Sequence, residues 1–103
     1  MYARVTLLEI DAVRADVDEV LERYRQEVAP QIRNQRGYGG MFVLANEEGQ
    51  GMVITLWTDE ASLDASMPLA SEAVERFLTV LRAAPGRERY EVRIADVPAL
   101  AVE

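Results

Sequence analysis

The stretch Tyr38-Gly39-Gly40-Met41-Phe42-Val43-Leu44-Ala45-Asn46-Glu47-Glu48-Gly49-Gln50-Gly51-Met52-Val53-Ile54-Thr55-Leu56-Trp57-Thr58 reads as two strands and the turn between them. Apolar and β-branched residues fill 38–46 and 52–58, and the polar segment Asn46–Gly51 carries the glycines that a hairpin turn demands. By parity, Met41 and Val43 share one side of the first strand and Phe42 and Leu44 the other. The second strand sets Met52, Ile54 and Leu56 against Val53 and Trp57. Both faces of this hairpin are therefore apolar, and a strand with one wet face does not read that way.

Outward from the hairpin, residues 2–10 are rich in strand formers and give a first strand. Asp16 with Glu19 three residues later has the form of a helix start. Val17, Val20, Leu21, Tyr24, Val28 and Ile32 follow at spacings of three and four, which puts them on one helical face. Pro30 interrupts the pattern and predicts a kink or a restart, because proline has no N–H to donate. Gly37 is the expected terminator. On the other side of the hairpin, Thr58 or Asp59 caps a second helical region, which Pro68 divides. Its longer part carries Ala70, Ala73, Val74, Phe77, Leu78 and Leu81, and Pro85-Gly86 stops it. Residues 88–95 alternate with period two and give the last strand.

The order is βαββαβ, so the expected class is α+β: a ferredoxin-like, four-stranded antiparallel sheet with both helices on one face. The 103 residues form a single domain, 1–103. Helices cover one face of the sheet, and the two-sided apolar hairpin leaves the other face without a cover. A second copy of the chain, packed sheet against sheet, is the simplest cover, and two-fold pairing is the commonest assembly. A monomer with a few exposed apolar residues is the alternative.

Composition narrows the chemistry. The net charge is −7, every basic residue is Arg, and the arginines are scattered among acids. That pattern lacks the basic footprint of a nucleic-acid binder and the basic amphipathic face of a protein lying on anionic membranes. With no Cys and no His, thiol nucleophiles, disulfides, thiolate metal sites and the commonest general base are all excluded. No metal site is expected. No stretch reads as a signal peptide or approaches the roughly 20 apolar residues of a membrane span, so a cytoplasmic protein is expected.

The segments Gly37-Tyr38-Gly39-Gly40-Met41-Phe42-Val43 and Ile54-Thr55-Leu56-Trp57-Thr58-Asp59-Glu60-Ala61-Ser62-Leu63 resemble the antibiotic biosynthesis monooxygenase superfamily of dimeric α/β barrels. Shared features are the Gly-aromatic-x-Gly lead into the second strand and a third strand ending in Trp before an acidic helix start. The proline in the first helix and the closing Glu88-Arg89-Tyr90-Glu91-Val92 strand are similar too. The resemblance implies a homodimer and a cofactor-free monooxygenase acting on a small aromatic phenol or quinol. A non-catalytic small-molecule binder on the same scaffold is the alternative, and a structural protein with a filled cavity is a third reading. Haem-degrading members also carry a Trp at the Trp57 position, but rely on a His and a first-strand Asn that this sequence lacks.

Candidate substrate-binding residues are Trp57, Thr55, Arg4, Thr6, Arg93 and Tyr24; no catalytic residue is singled out. Trp57 matches the family position for a wall of an aromatic cavity; equally, it is a core aromatic whose indole N–H bonds nearby. Arg4, Thr6, Thr55, Glu91 and Arg93 converge if the first strand lies between the third and fourth. Their cations and hydroxyls then suit a phenolate. The plainer reading is a cross-strand ion pair such as Arg4 with Glu91, worth about 0.2–1 kcal/mol. Tyr24 lies on the apolar helical stripe, as a donor to a ligand or as a core aromatic. Asn46, beside the turn, is expected to bond its own backbone.

Overall fold

A computed structural model of the chain describes residues 1–66 and 87–98. The elements are β1 (Tyr2–Glu9), α1 (Val17–Glu27), α2 (Ala29–Arg33), β2 (Tyr38–Ala45), β3 (Gln50–Trp57), α3 (Glu60–Ala65) and β4 (Arg87–Glu91). The strands form one antiparallel sheet in the order β2-β3-β1-β4, which is the expected ferredoxin-like arrangement, with β1 between β3 and β4. The stripe from Ala70 to Leu81, with Pro68 and Pro85-Gly86, lies outside the described residues.

Local chemistry sets the boundaries. The Asp16 carboxylate accepts from the amides of Asp18 and Glu19, fixing the start of α1. The predicted restart occurs at Val28, where Pro30 enters the first turn of α2. Proline is tolerated there because that N–H would have no helical partner. Helix α2 then ends at Arg33, ahead of Gly37. Gly37 sits beyond the helix at φ 81°, and its carbonyl accepts from Thr58 N at 2.8 Å, tying the start of β2 to the end of β3.

The hairpin turn is tighter than its sequence reads. Asn46 Oδ1 accepts from Glu48 N and Gln50 N, and Asn46 N donates to the Gln50 carbonyl, so β3 begins at Gln50 and not at Met52. Asn46 serves its own turn, as expected. Strand β4 is shorter than the 88–95 alternation predicts. Glu91 is opposite Tyr2, the first residue of β1, and Val92 N donates to the Met1 carbonyl just beyond the last strand pair.

Register assigns the two faces. Arg4, Thr6, Val53, Thr55 and Trp57 are buried on one face. Ile10, Val20, Val28, Ile32 and Leu63 pack with Trp57 to form the core, with Tyr2, Tyr24, Tyr38 and Met41 against it. On the opposite face, Val5, Phe42, Ile54 and Leu56 are partly exposed, and Leu7 and Leu44 are half exposed. The two-sided apolar sheet read from the sequence is present.

Candidate functional site

The buried face is organised in rows across the sheet. Register places Met41, Thr55, Arg4 and Arg89 in one row, and Tyr38, Trp57, Tyr2 and Glu91 in the next. Side chains opposite each other in antiparallel strands share a face, so the two rows are neighbours.

Trp57, only 1% exposed, donates its indole N–H to Thr55 Oγ1 at 3.0 Å. The two residues are alternate positions of one strand, so the bond closes within β3. Tyr38 meets Trp57 edge to face, with centroids 6.0 Å apart and planes at 81°, a favoured aromatic geometry. Both readings of Trp57 from sequence therefore meet here: it is a core aromatic with a satisfied N–H, and it stands in the row beside Arg4.

Arg4 is 4% exposed, and its Nη2 donates to the Leu63 carbonyl at 2.8 Å. That carbonyl also accepts from Ser66 Oγ at 2.6 Å. Helix α3 reaches this position because Asp59 caps it, accepting from Ser62 N at 2.7 Å, and because Leu63 is fully buried against the core. The Ser62 amide holds the Asp59 carboxyl below the usual carboxylate range. Thr6 is buried two residues further along β1, on the same face as Arg4.

Tyr24 comes from α1 and packs against the core. Burial, with a smaller contribution from Tyr38, pushes its hydroxyl up to about 12. It stays protonated across the neutral range, and so acts as a hydrogen-bond donor and not as a base.

Five of the six candidates thus belong to the buried side of the sheet. Arg93 does not. Strand β4 ends at Glu91, and the Arg93 side chain is 83% exposed beyond it, 3.9 Å from the Glu91 carboxylate. The ion pair proposed between Arg4 and Glu91 is also absent from the register, because Arg4 faces Arg89. Arg89, which the sequence reading passed over, holds Glu60 at 2.9 Å and Asp64 at 3.0 Å, both on α3. The spacing of four between those two acids places them on one side of a helix, and was the available signal.

An open cleft of about 560 Å³ lies at the other end of β3, between the start of α1 and the β2–β3 turn. Ala15, Val17 and Leu21 line it beside Asp16, Asn46 and Glu47, and none of the six candidates does. Asp16 and Asn46 are already engaged in capping and in the turn. Its remaining charge is acidic, which disfavours an anionic aromatic ligand.

A family model for antibiotic biosynthesis monooxygenase matches residues 1–78. The chain belongs to this family. No curated protein matches the sequence. Solved structures share the family fold at low identity. The NE2512 protein of unknown function from Nitrosomonas europaea is 22% identical, with a TM-score of 0.75 over 95% of this chain and 94% of that one. SnoaB, a cofactor-independent oxygenase from Streptomyces nogalater, is 12% identical, with a TM-score of 0.71 over 91% and 94%. The ActVA-Orf6 monooxygenase from Streptomyces coelicolor, in complex with nanaomycin D, is 19% identical, with a TM-score of 0.71 over 95% and 92%.

Proposed function

We propose that this antibiotic biosynthesis monooxygenase family member is a homodimeric, cofactor-independent oxygenase of the cytoplasm that acts on a small aromatic phenol or quinol. The observation that carries the reading is the Arg4 guanidinium, buried on the helix-covered face in the row beside Trp57. A cation held there stabilises a phenolate, and ionisation makes an aromatic ring electron-rich enough to reduce oxygen. The fold relatives SnoaB and ActVA-Orf6 carry oxygenase descriptions, and this supports the reading.

In this scheme the phenol first loses its proton. Tyr24 remains protonated and takes no part as the base. The ring then gives electrons to oxygen. One oxygen atom becomes a new quinone carbonyl, and the other leaves as water with the two hydrogens lost from the ring and hydroxyl. Trp57 and Tyr38 supply an aromatic wall, and Thr55 holds the Trp57 indole in place. Dimerisation covers the second, apolar face of the sheet.

The test uses 1-naphthol and oxygen-18 gas. The expected product is 1,4-naphthoquinone carrying one labelled oxygen, formed more slowly by Arg4→Gln. Binding of 1-naphthol and related phenols with no oxygen uptake would overturn the oxygenase reading and leave a non-catalytic binder. That second reading draws on one observation: the Trp57 N–H is already given to Thr55 Oγ1 and is not left to direct a substrate.

A further inference from the structure

Two arginines stand side by side on the helix-covered face, the buried Arg4 on β1 and the half-exposed Arg89 directly opposite on β4. Like charges in opposite cross-strand positions repel. The same helix answers both. The α3 carboxylates Glu60 and Asp64 hold the two terminal nitrogens of Arg89, Nη2 to Glu60 and Nη1 to Asp64. The α3 backbone, through the Leu63 carbonyl, holds Nη2 of Arg4. Leu63 lies between Glu60 and Asp64 in the chain, and its side chain is locked in the core next to Trp57.

The geometry points to Arg89 as a positioning residue for the buried site: by clamping Glu60 and Asp64 it seats α3 on the sheet, and the seated Leu63 carbonyl aims the Arg4 guanidinium at an anionic aromatic ligand. This rests on the ligand class given above and not on turnover. Arg89 touches no ligand itself. Its guanidinium fork spans two carboxylates at once, which a lysine ammonium does not reproduce. Each of these exposed ion pairs is weak alone. Their value is geometric, since α3 is a short helix of six residues whose placement sets where the Leu63 oxygen sits.

The experiment titrates the protein with 4-nitrophenol above the pKa of that probe, where it is a phenolate, and reads quenching of Trp57, the single tryptophan. Arg4→Gln is expected to weaken binding about ten- to hundredfold, the scale of one lost charge-assisted hydrogen bond. Arg89→Gln is expected to weaken it about three- to tenfold, with Arg89→Lys between Gln and wild type. In an Arg4→Gln background, Arg89→Gln adds nothing, because the residue it positions is gone. The double change Glu60→Gln with Asp64→Asn reproduces the Arg89→Gln loss from the other side of the clamp, and unshifted Trp57 emission without probe shows that each variant is folded.

Wild-type affinity in Arg89→Gln would overturn the inference. So would an undiminished loss in the Arg4→Gln background, which would make Arg89 a general contributor to stability or field. A wild-type protein that does not bind the phenolate would also overturn it, leaving no anion for Arg4 to receive. Binding with the expected pattern but without oxygen uptake would uphold the clamp and sink the oxygenase reading alone.

Discussion

Arg4 of β1 and Leu63 of α3, 59 positions apart in sequence, are joined by a buried hydrogen bond of 2.8 Å from guanidinium nitrogen to backbone carbonyl. The bond ties the middle of the sheet to a six-residue helix, beside the buried Leu63 side chain and the Arg89 ion pairs that also hold it. Ser66 Oγ donates to the same oxygen, so the carbonyl is the point where helix end and sheet meet.

The Trp57–Thr55 bond is testable by a mutant cycle. Thr55→Val removes the acceptor and strands a buried indole N–H, so it is expected to cost about 1–3 kcal/mol. Trp57→Phe removes the donor instead. The double variant is expected to be more stable than the sum of the single losses predicts, because neither group is then left unpaired. Urea unfolding followed by circular dichroism measures all three.

Tyr24 is expected to titrate late. Its folded value of about 12 lies above the ordinary 10, so the neutral form is favoured in the fold. The stability this gives is fully present below the unfolded value and is lost as pH rises through the folded one. Absorbance of tyrosinate at rising pH is the measurement: Tyr24→Phe removes the rise near pH 12.

Asp59 predicts the opposite behaviour at low pH. Its folded value is depressed, chiefly by the Ser62 amide. The cap therefore contributes above the unfolded carboxylate range, and the contribution disappears as pH falls through the folded value. Thermal melts of wild type and Asp59→Asn at neutral pH and at decreasing acid pH are expected to converge. A constant gap at every pH would show that the carboxylate charge is not what holds α3.

Gly49→Ala is expected to destabilise the fold by about 1–3 kcal/mol. Gly49 has φ 91°, and an added Cβ points into the Ile10 carbonyl. Its own carbonyl accepts from Ile10 N at 2.7 Å, so the turn cannot move away without breaking the tie to the end of β1. The midpoint of chemical denaturation checks this.

The half-exposed Leu7 and Leu44 lie on the sheet face that the described helices leave open. Leu44→Arg is expected to convert a dimer into monomers, since a guanidinium in an apolar sheet-to-sheet contact has no partner. Sedimentation velocity reads the outcome. A Leu44→Arg protein that sediments as a dimer would move the interface elsewhere.

Much of this was legible in the sequence because it depends on near neighbours. The 38–58 hairpin, the Asp16 and Asp59 caps, the break at Pro30 and the Asn46 turn follow from residues within a few positions of each other. The two-sided apolar sheet follows from period-two alternation alone, as does the prospect of a second copy. The absence of His and Cys limited the chemistry before any fold was drawn.

Tertiary structure decided what depends on register. Arg4, Arg89 and Arg93 look alike in the sequence, each in an alternating strand pattern. One is buried on α3's carbonyl, one is clamped by α3's acids, and one lies exposed. The difference arises because Tyr2 pairs with Glu91, which sets Arg4 against Arg89 and ends the ladder before Arg93. Alternation fixes which face a side chain takes, but the pairing of distant strands fixes its neighbour, and burial of the common core selects that pairing.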